Sequence, residues 1–459
     1  MNALSPSLDL APALVVLPGP RAAAADAREA KALAPPYARE LFEAGPVLVA
    51  HAAMTARRLG LATSRLPSLE GGGERPGLAP LNVEDLLLRP TAKIDYRNLE
   101  NFIAGKAVAV TGGGGSIGSE ICERVVAFRA SRLLILENSE PALHAVTERL
   151  KERTDDTEID SRICDIRDRE RVFRLLRDFK PDLVFHAAAL KHVPILERDC
   201  EEAVKTNIFG TVNVADAAIE AGAATMVMIS TDKAIEPVSV LGASKRFAEM
   251  YCQALDAGFV SGGAATPAMR MISVRFGNVL ASNGSVVPKF RAQIEAGGPV
   301  TVTHPDMVRY FMTIREACDL VLVSASHAES SKRSQVAVYV LNMGQQVKIV
   351  TLAERLIRLS GFEPGVDIKI EFTGVRPGER LHELVFSTEE RHADIGIDGI
   401  VAAKAVCPSL ESLRKTLAEF EAGLQKGEAA AIYATLRKAV PDFKMPAGAD
   451  EPIRQPARG

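Results

Sequence analysis

Four consecutive residues, Ser230, Thr231, Asp232 and Lys233, place two hydroxyls, a carboxylic acid and an amine within one turn of chain. Such a set can hold a hydroxylated substrate, give it one proton and take another in a single pocket. The tetrapeptide follows the apolar run 225–229, which reads as a buried strand, and open α/β sheets bind ligands at the carboxyl ends of their strands. On its own it is equally a polar strand exit with an ordinary ion pair. A further cation, Lys245, lies on the helix predicted over 242–257.

The second candidate is the turn Thr111-Gly-Gly-Gly-Gly-Ser-Ile-Gly118. Gly113, Gly115 and Gly118 fit G-x-G-x-x-G, while Gly112, Gly115 and Gly118 fit G-x-x-G-x-x-G. Glycines let such a turn approach a pyrophosphate, whose charge the free N–H groups of the next helix receive. The motif is weak alone, but here it lies between the strand Ala107-Val-Ala-Val110 and a helix over 119–128. Glu137 ends the next strand, 133–136, where a carboxylate accepts both ribose hydroxyls and repels a 2'-phosphate, which argues for NAD over NADP. Arg132, before that strand, is either a surface residue or a phosphate partner. Asp165 and Ile166, after a third strand at 162–164, either grip an adenine or simply cap a helix.

The elements that position these groups alternate. Strands are expected at 183–185, 225–229 and 272–275, and helices at 140–153, 169–178, 203–221 and 242–257, the pattern of a doubly wound parallel sheet. Beyond residue 280, helices at 314–325 and 351–359 and strands at 337–341 and 367–372 make a smaller lobe. Two charged helical segments fill 408–438. The chain has 459 residues, of which 47% are hydrophobic and 25% charged, with a net charge of -3. That balance excludes a disordered chain and supports no nucleic-acid surface. Cys122, Cys164, Cys200, Cys252, Cys318 and Cys407 include no CxxC pair, so no metal site is expected and the thiols read as buried in a reducing compartment. The apolar stretch 44–54 falls short of the roughly 20 residues a membrane span needs, which points to a cytoplasmic protein without a span. Residues 25–34 and 37–60 could form helices before a glycine linker at 71–73; this N-terminal part is a packing arm or completes a site.

These motifs resemble the extended short-chain dehydrogenases that act as UDP-N-acetylglucosamine 4,6-dehydratases in polysaccharide biosynthesis. The resemblance rests on the glycine turn, His186-Ala-Ala-Ala-Leu-Lys-His-Val-Pro194, Ser230-Thr-Asp-Lys-Ala234, Val274-Arg-Phe-Gly-Asn-Val-Leu280 and Gly374-Val-Arg-Pro-Gly-Glu-Arg-Leu-His-Glu383, within about residues 80–440. It implies a Rossmann-type doubly wound sheet with a smaller C-terminal substrate-binding lobe and a helical N-terminal extension. The cuts are an Ala/Pro-rich extension over 1–80, an NAD-binding domain over 81–280 completed by a later crossover, a nucleotide-sugar lobe over 281–400, and a helical segment with a tail over 401–459. Long members of that group carry transmembrane helices and another nucleotide-fold domain, so the chain resembles a soluble short form.

By resemblance, NAD takes hydride from C4 and returns it to C6. Thr231 binds the C4 oxygen, Asp232 protonates the departing C6 hydroxyl, Lys233 removes the C5 hydrogen and Lys245 holds the nicotinamide ribose. The implied cofactor set is Gly112, Gly115, Ser116, Ile117, Gly118, Glu137, Asn138, Asp165, Ile166, Ala187, Ala189 and Lys245. For the UDP-sugar it is Lys191, His192, Asn278, Lys289, Arg309, Arg376 and Glu379, although loop polarity alone also accounts for Lys191 and His192. Asn207 resembles a structural asparagine that bridges the central strands to the site. The usual tyrosine four residues before the lysine is here Leu241, which moves no proton. Asp232 is then the candidate for the first deprotonation, and C5 retention is favoured over inversion. A homodimer or higher homo-oligomer is implied through helices at 204–222 and 242–257, whose faces could instead be internal core. Two other readings stay open: a nucleotide-sugar 4-epimerase, and a silent NAD-binding scaffold.

Overall fold

Runs such as Leu133 to Leu136, apolar at every position, suit a strand covered on both faces, and the chain buries them that way. The computed structural model describes residues 92–444 apart from 155, 262–268, 331–335 and 388–389, together with the strands Leu14–Pro18, Leu61–Arg65 and Ala79–Pro80. The helices expected over 25–34 and 37–60 lie outside the described residues. The three N-terminal strands pair antiparallel.

The chain divides into two compact units. The larger comprises Ala92–Asn283, Met312–Gln345 and Val375–Gly459. Its strands in chain order are β1 (Ala107–Thr111), β2 (Arg132–Glu137), β3 (Glu158–Ile163), β4 (Leu183–His186), β5 (Thr225–Ile229), β6 (Arg270–Arg275), β7 (Val338–Leu341), β8 (Arg391–Asp394) and β9 (Ile400–Lys404). They form one nine-stranded sheet in the order β8-β9-β7-β6-β5-β4-β1-β2-β3. Pairing is parallel from β3 to β7, and β9 and β8 close the far edge antiparallel. The doubly wound sheet read from the alternation is therefore present, with its order reversing at β1 and β4, the switch point where such sheets bind ligands. The strand expected at 162–164 instead runs over Glu158–Ile163, because β3 is an edge strand whose half-exposed residues give a weak apolar signal.

Helices α1 (Ser116–Ala127), α2 (Glu140–Lys151), α3 (Arg169–Phe179), α4 (Thr211–Glu220), α5 (Val240–Ser261), α6 (Ile314–Ser330), α7 (Leu410–Lys426) and α8 (Ala429–Ala439) belong to this unit, with a helix Tyr96–Ile103 ahead of them. The single helix expected over 203–221 is a short α turn, a π-helical stretch Val204–Gly210 and then α4. Helix α5 is covered by the chain itself: α7 and α8 pack on it, with Phe247 edge-on to Phe420 at 5.4 Å. The apolar side that faces α7 and α8 is thus internal core.

The smaller unit contains Gly284–Phe311 and Gln346–Gly374. Within it Val300–Val302 pairs parallel with Ile370–Phe372, and Val308–Arg309 pairs antiparallel with Val347–Lys348. The lobe expected over 281–400 is therefore interrupted. Residues 312–345 and 375–404 return to the large sheet, where the buried runs of β7 and β9 find pairing partners.

Candidate active site

The glycine turn joins β1 to α1. Gly112 has φ +68°, and a Cβ there would sit 2.6 Å from the Ala188 backbone, so only glycine lets the loops after β1 and β4 meet. Gly115 caps α1 without a side-chain hydrogen bond, which leaves the first N–H groups of Ser116, Ile117 and Gly118 without helical acceptors. Uncapped amides at a helix N-terminus fit a pyrophosphate. The Glu137 carboxylate, at the end of β2, accepts from the N–H groups of Gly114 and Ser139, each at 3.0 Å. A carboxylate fixed at the end of the second strand, beside the glycine turn, is the chemistry a ribose diol needs, so the residues present fit a dinucleotide. Asn138 follows it on the surface. Asp165 is gripped by Arg167, which holds its carboxyl below the ordinary value, and Ile166 packs against Gly210.

At the end of β4 the fully buried His186 bridges two hydroxyls, Thr111 Oγ1 at 2.7 Å from Nδ1 and Thr211 Oγ1 at 2.9 Å from Nε2. Thr211 already donates to the Asn207 carbonyl, so it accepts from His186 Nε2–H, and Nδ1 accepts from Thr111. Burial, reinforced by the charge of Lys245, pushes His186 down to about 3. The loop that follows carries half-exposed Ala187 and Ala189 and exposed Lys191 and His192. Asn207, inside the π-helical turn, fixes this loop by pairing with the N–H and C=O of Leu190 and donates to Ser244 Oγ on α5. Lys191 Nζ donates to the Asn283 carbonyl, whose residue's N–H donates to Ser116 Oγ.

The tetrapeptide leaves β5 at the same edge. Thr231 Oγ1 and Lys233 Nζ both donate to Asp232 Oδ1 at 2.9 Å, while Asp232 Oδ2 is buried without a partner among the described residues. Lys233 Nζ also lies 3.3 Å from Asn278 Oδ1 and 4.0 Å from Glu383 Oε1. Gly242 in the first turn of α5 has no room for a Cβ against the Lys233 carbonyl, so the helix and the lysine loop touch backbone to backbone. Leu241 is buried, and Lys245 stands one turn further on. Its ammonium is pushed down to about 8, first by burial, with Glu249 and Cys252 opposing. Beneath the tetrapeptide, Glu249 accepts from Ser230 Oγ and from both Nε and Nη2 of Arg275, whose Nη1 binds Glu390.

Arg376 pairs with Glu379 at 2.6 Å, bringing two predicted nucleotide ligands together. Lys289 and Arg309 belong to the smaller unit, Lys289 exposed on Val286–Glu295 and Arg309 buried on Val308–Arg309. Sequence reading did not assign His186, Glu249, Arg275 or Glu383 to the site. For His186, Glu249 and Arg275 the signal was a charged or polar residue inside an apolar run, most visible for Arg275 at the end of β6; Glu383 lies in a charged stretch that carries no such signal.

The family model described as "Polysaccharide biosynthesis protein" matches residues 108–405. The probable polysaccharide biosynthesis protein EpsC of Bacillus subtilis is 45% identical over 74% of this chain, which spans 55% of that protein's length, about half. A UDP-N-acetylglucosamine 4,6-dehydratase (inverting) of Campylobacter jejuni is 32% identical over 67% of this chain and 84% of its own. A UDP-glucose 4-epimerase of Rickettsia akari is 34% identical over 62% and 79%. Among solved structures, Pen from Bacillus thuringiensis matches with a TM-score of 0.58 at 31% identity, over 70% of this chain and 99% of that one. Among the described residues no helix is long and apolar enough to cross a membrane. With a glycine turn, a switch-point site and a family match over most of its length, this chain belongs to the polysaccharide biosynthesis protein family.

Proposed function

We propose that the protein is an NAD-dependent UDP-N-acetylglucosamine 4,6-dehydratase that forms UDP-2-acetamido-2,6-dideoxy-hexos-4-ulose with retention at C5, for surface polysaccharide or glycan biosynthesis. The observation that carries this reading is the pairing of Asp232 Oδ1 with Lys233 Nζ at 2.9 Å, beside Thr231, at the carboxyl end of β5. Elimination across C5–C6 needs an acid for the leaving hydroxyl and a base for the C5 hydrogen; epimerisation at C4 needs neither. Bound NAD would supply a hydride acceptor for C4 and the same hydride for C6, so water is lost with no net redox change. Thr231 would orient the C4 oxygen. Asp232 would take the C4 hydroxyl proton and pass it to the departing C6 hydroxyl, because Leu241 cannot. Lys233 would remove the C5 hydrogen and return a proton from the same face, which retains the configuration. Lys245 would hold the nicotinamide ribose, with Arg376 and Glu379 on the UDP.

The relative named as an inverting 4,6-dehydratase supports the dehydration but not the retention, which rests on Leu241 standing where a tyrosine would; the relative named as a 4-epimerase favours a second reading, C4 inversion through a transient ketone. Proton NMR of the protein with NAD and UDP-N-acetylglucosamine in deuterated water separates them. A C6 methyl with a 4-keto carbon, without stoichiometric NADH, is the expected result. An intact C6 hydroxymethyl with inverted C4 would replace the dehydratase reading by the epimerase.

A further inference from the structure

The dehydration proposed for this site sets a proton count that the tetrapeptide alone does not satisfy, and the role assigned here to a further residue rests on that reading. Oxidation at C4 releases the hydroxyl proton, which Leu241 cannot receive. If Asp232 takes it, a protonated Lys233 is left without an acceptor for its own proton, and an ammonium has no lone pair with which to abstract the C5 hydrogen. If Asp232 instead takes the lysine's proton, the C4 proton has no acceptor. The C4 hydroxyl proton and the lysine's own proton therefore need two separate acceptors.

The second carboxylate is in place. Glu383 Oε1 lies 4.0 Å from Lys233 Nζ, and both Glu383 and Asp232 are buried, at 6% and 1% exposure. The segment bearing Glu383 is tied to the lysine loop by Arg380, which donates to the carbonyls of Ile235 and Glu236. We propose that Glu383 accepts the ammonium proton of Lys233 and so frees the amine for the C5 hydrogen. The N–H bond of Lys233 breaks as an O–H bond forms on Glu383. The amine lone pair then takes the C5 proton, the C5–H electrons form the C5–C6 double bond, and the C6 oxygen leaves as water with the proton held by Asp232. After hydride returns to C6, Lys233 gives its proton to C5 and recovers the one stored on Glu383, which closes the cycle. Glu383 acts through Lys233 and not on the sugar. Transfer between neighbours in a desolvated pocket is aided because it removes two buried charges. The other charged groups around the loop are Arg380, Glu236 with its partner Lys444 at 3.9 Å, and Lys245 on the helix packed against it.

The test uses the full chain with NAD and UDP-N-acetylglucosamine. Glu383→Gln removes the acceptor and keeps the shape. At pH 7 its kcat is expected to fall about 100-fold, within the range of a lost acid–base group, with KM and calorimetric UDP affinity nearly unchanged. Its kcat should then climb about tenfold per pH unit between roughly pH 7 and 9 as solvent takes the lysine's proton, while the unmodified protein stays flat. Glu383→Asp keeps a carboxylate and should keep the flat profile at a lower rate. A pH-independent loss in Glu383→Gln, or no loss, overturns the proton-acceptor role and leaves the dehydratase reading standing. Absence of any 6-deoxy product from the unmodified protein overturns that reading itself. Should Glu383→Gln fail to bind UDP, Glu383→Asp decides: a flat profile supports the role and a climbing one overturns it.

Discussion

His186 makes the stability of the larger unit sensitive to mild acid. The ring is fully buried, both nitrogens are engaged by threonine hydroxyls, and its folded value is pushed to about 3 against 6.5 for a free histidine. Between those values the unfolded chain binds a proton that the folded chain refuses, so stability is complete above about pH 6.5 and falls as pH drops toward 3. From pH 7 to pH 5 the linkage relation gives a loss of about 2 kcal/mol from this residue alone. The assay is urea denaturation followed by far-UV circular dichroism at both pH values, for the unmodified protein and for His186→Asn. Any fixed cost of the lost ring cancels in the pH difference. The unmodified protein should lose about 2 kcal/mol more than the variant over this interval. Equal losses would refute the argument that a neutral imidazole is locked between Thr111 and Thr211.

Other consequences are as specific. Gly242→Ala pushes α5 off the Lys233 carbonyl, so it should cost about 1–3 kcal/mol of stability, read from urea midpoints, and lower kcat without loss of UDP affinity. Glu249→Gln leaves the buried Arg275 with only Glu390 as a counter-charge; it should destabilise the protein by about 3–5 kcal/mol, seen as a lower midpoint in the same melts. Lys233→Met should reduce kcat by about two to four orders of magnitude while calorimetry still detects UDP.

The sheet was legible because its central strands are continuous apolar runs between glycine turns and amphipathic helices, and the parallel register follows from that alternation. The edge strand β3 was displaced because half-exposed Ser161 and exposed Arg162 break the run. The return of 312–345 and 375–404 to the sheet was only partly legible, since a short apolar strand carries no label for its partner. At the site, contiguous residues were found readily: the glycine turn, Glu137 and the Thr231–Lys233 turn announce themselves by spacing. Glu383 and Arg275 did not, because their meaning depends on contacts across 150 and 26 positions of chain that only folding creates. The π-helical turn was hidden as well, since no residue of Val204 to Gly210 marks a π turn against an α turn and Asn207 shows its bridging contacts only in three dimensions.

The central claim is that one hydrogen travels from C4 to C6 within the bound sugar. UDP-N-acetylglucosamine deuterated at C4 should therefore give a 4-keto product whose C6 methyl carries that deuterium, with none passed to an added NAD pool. A product with its C6 hydroxyl intact and deuterium back at C4 would contradict the dehydratase account.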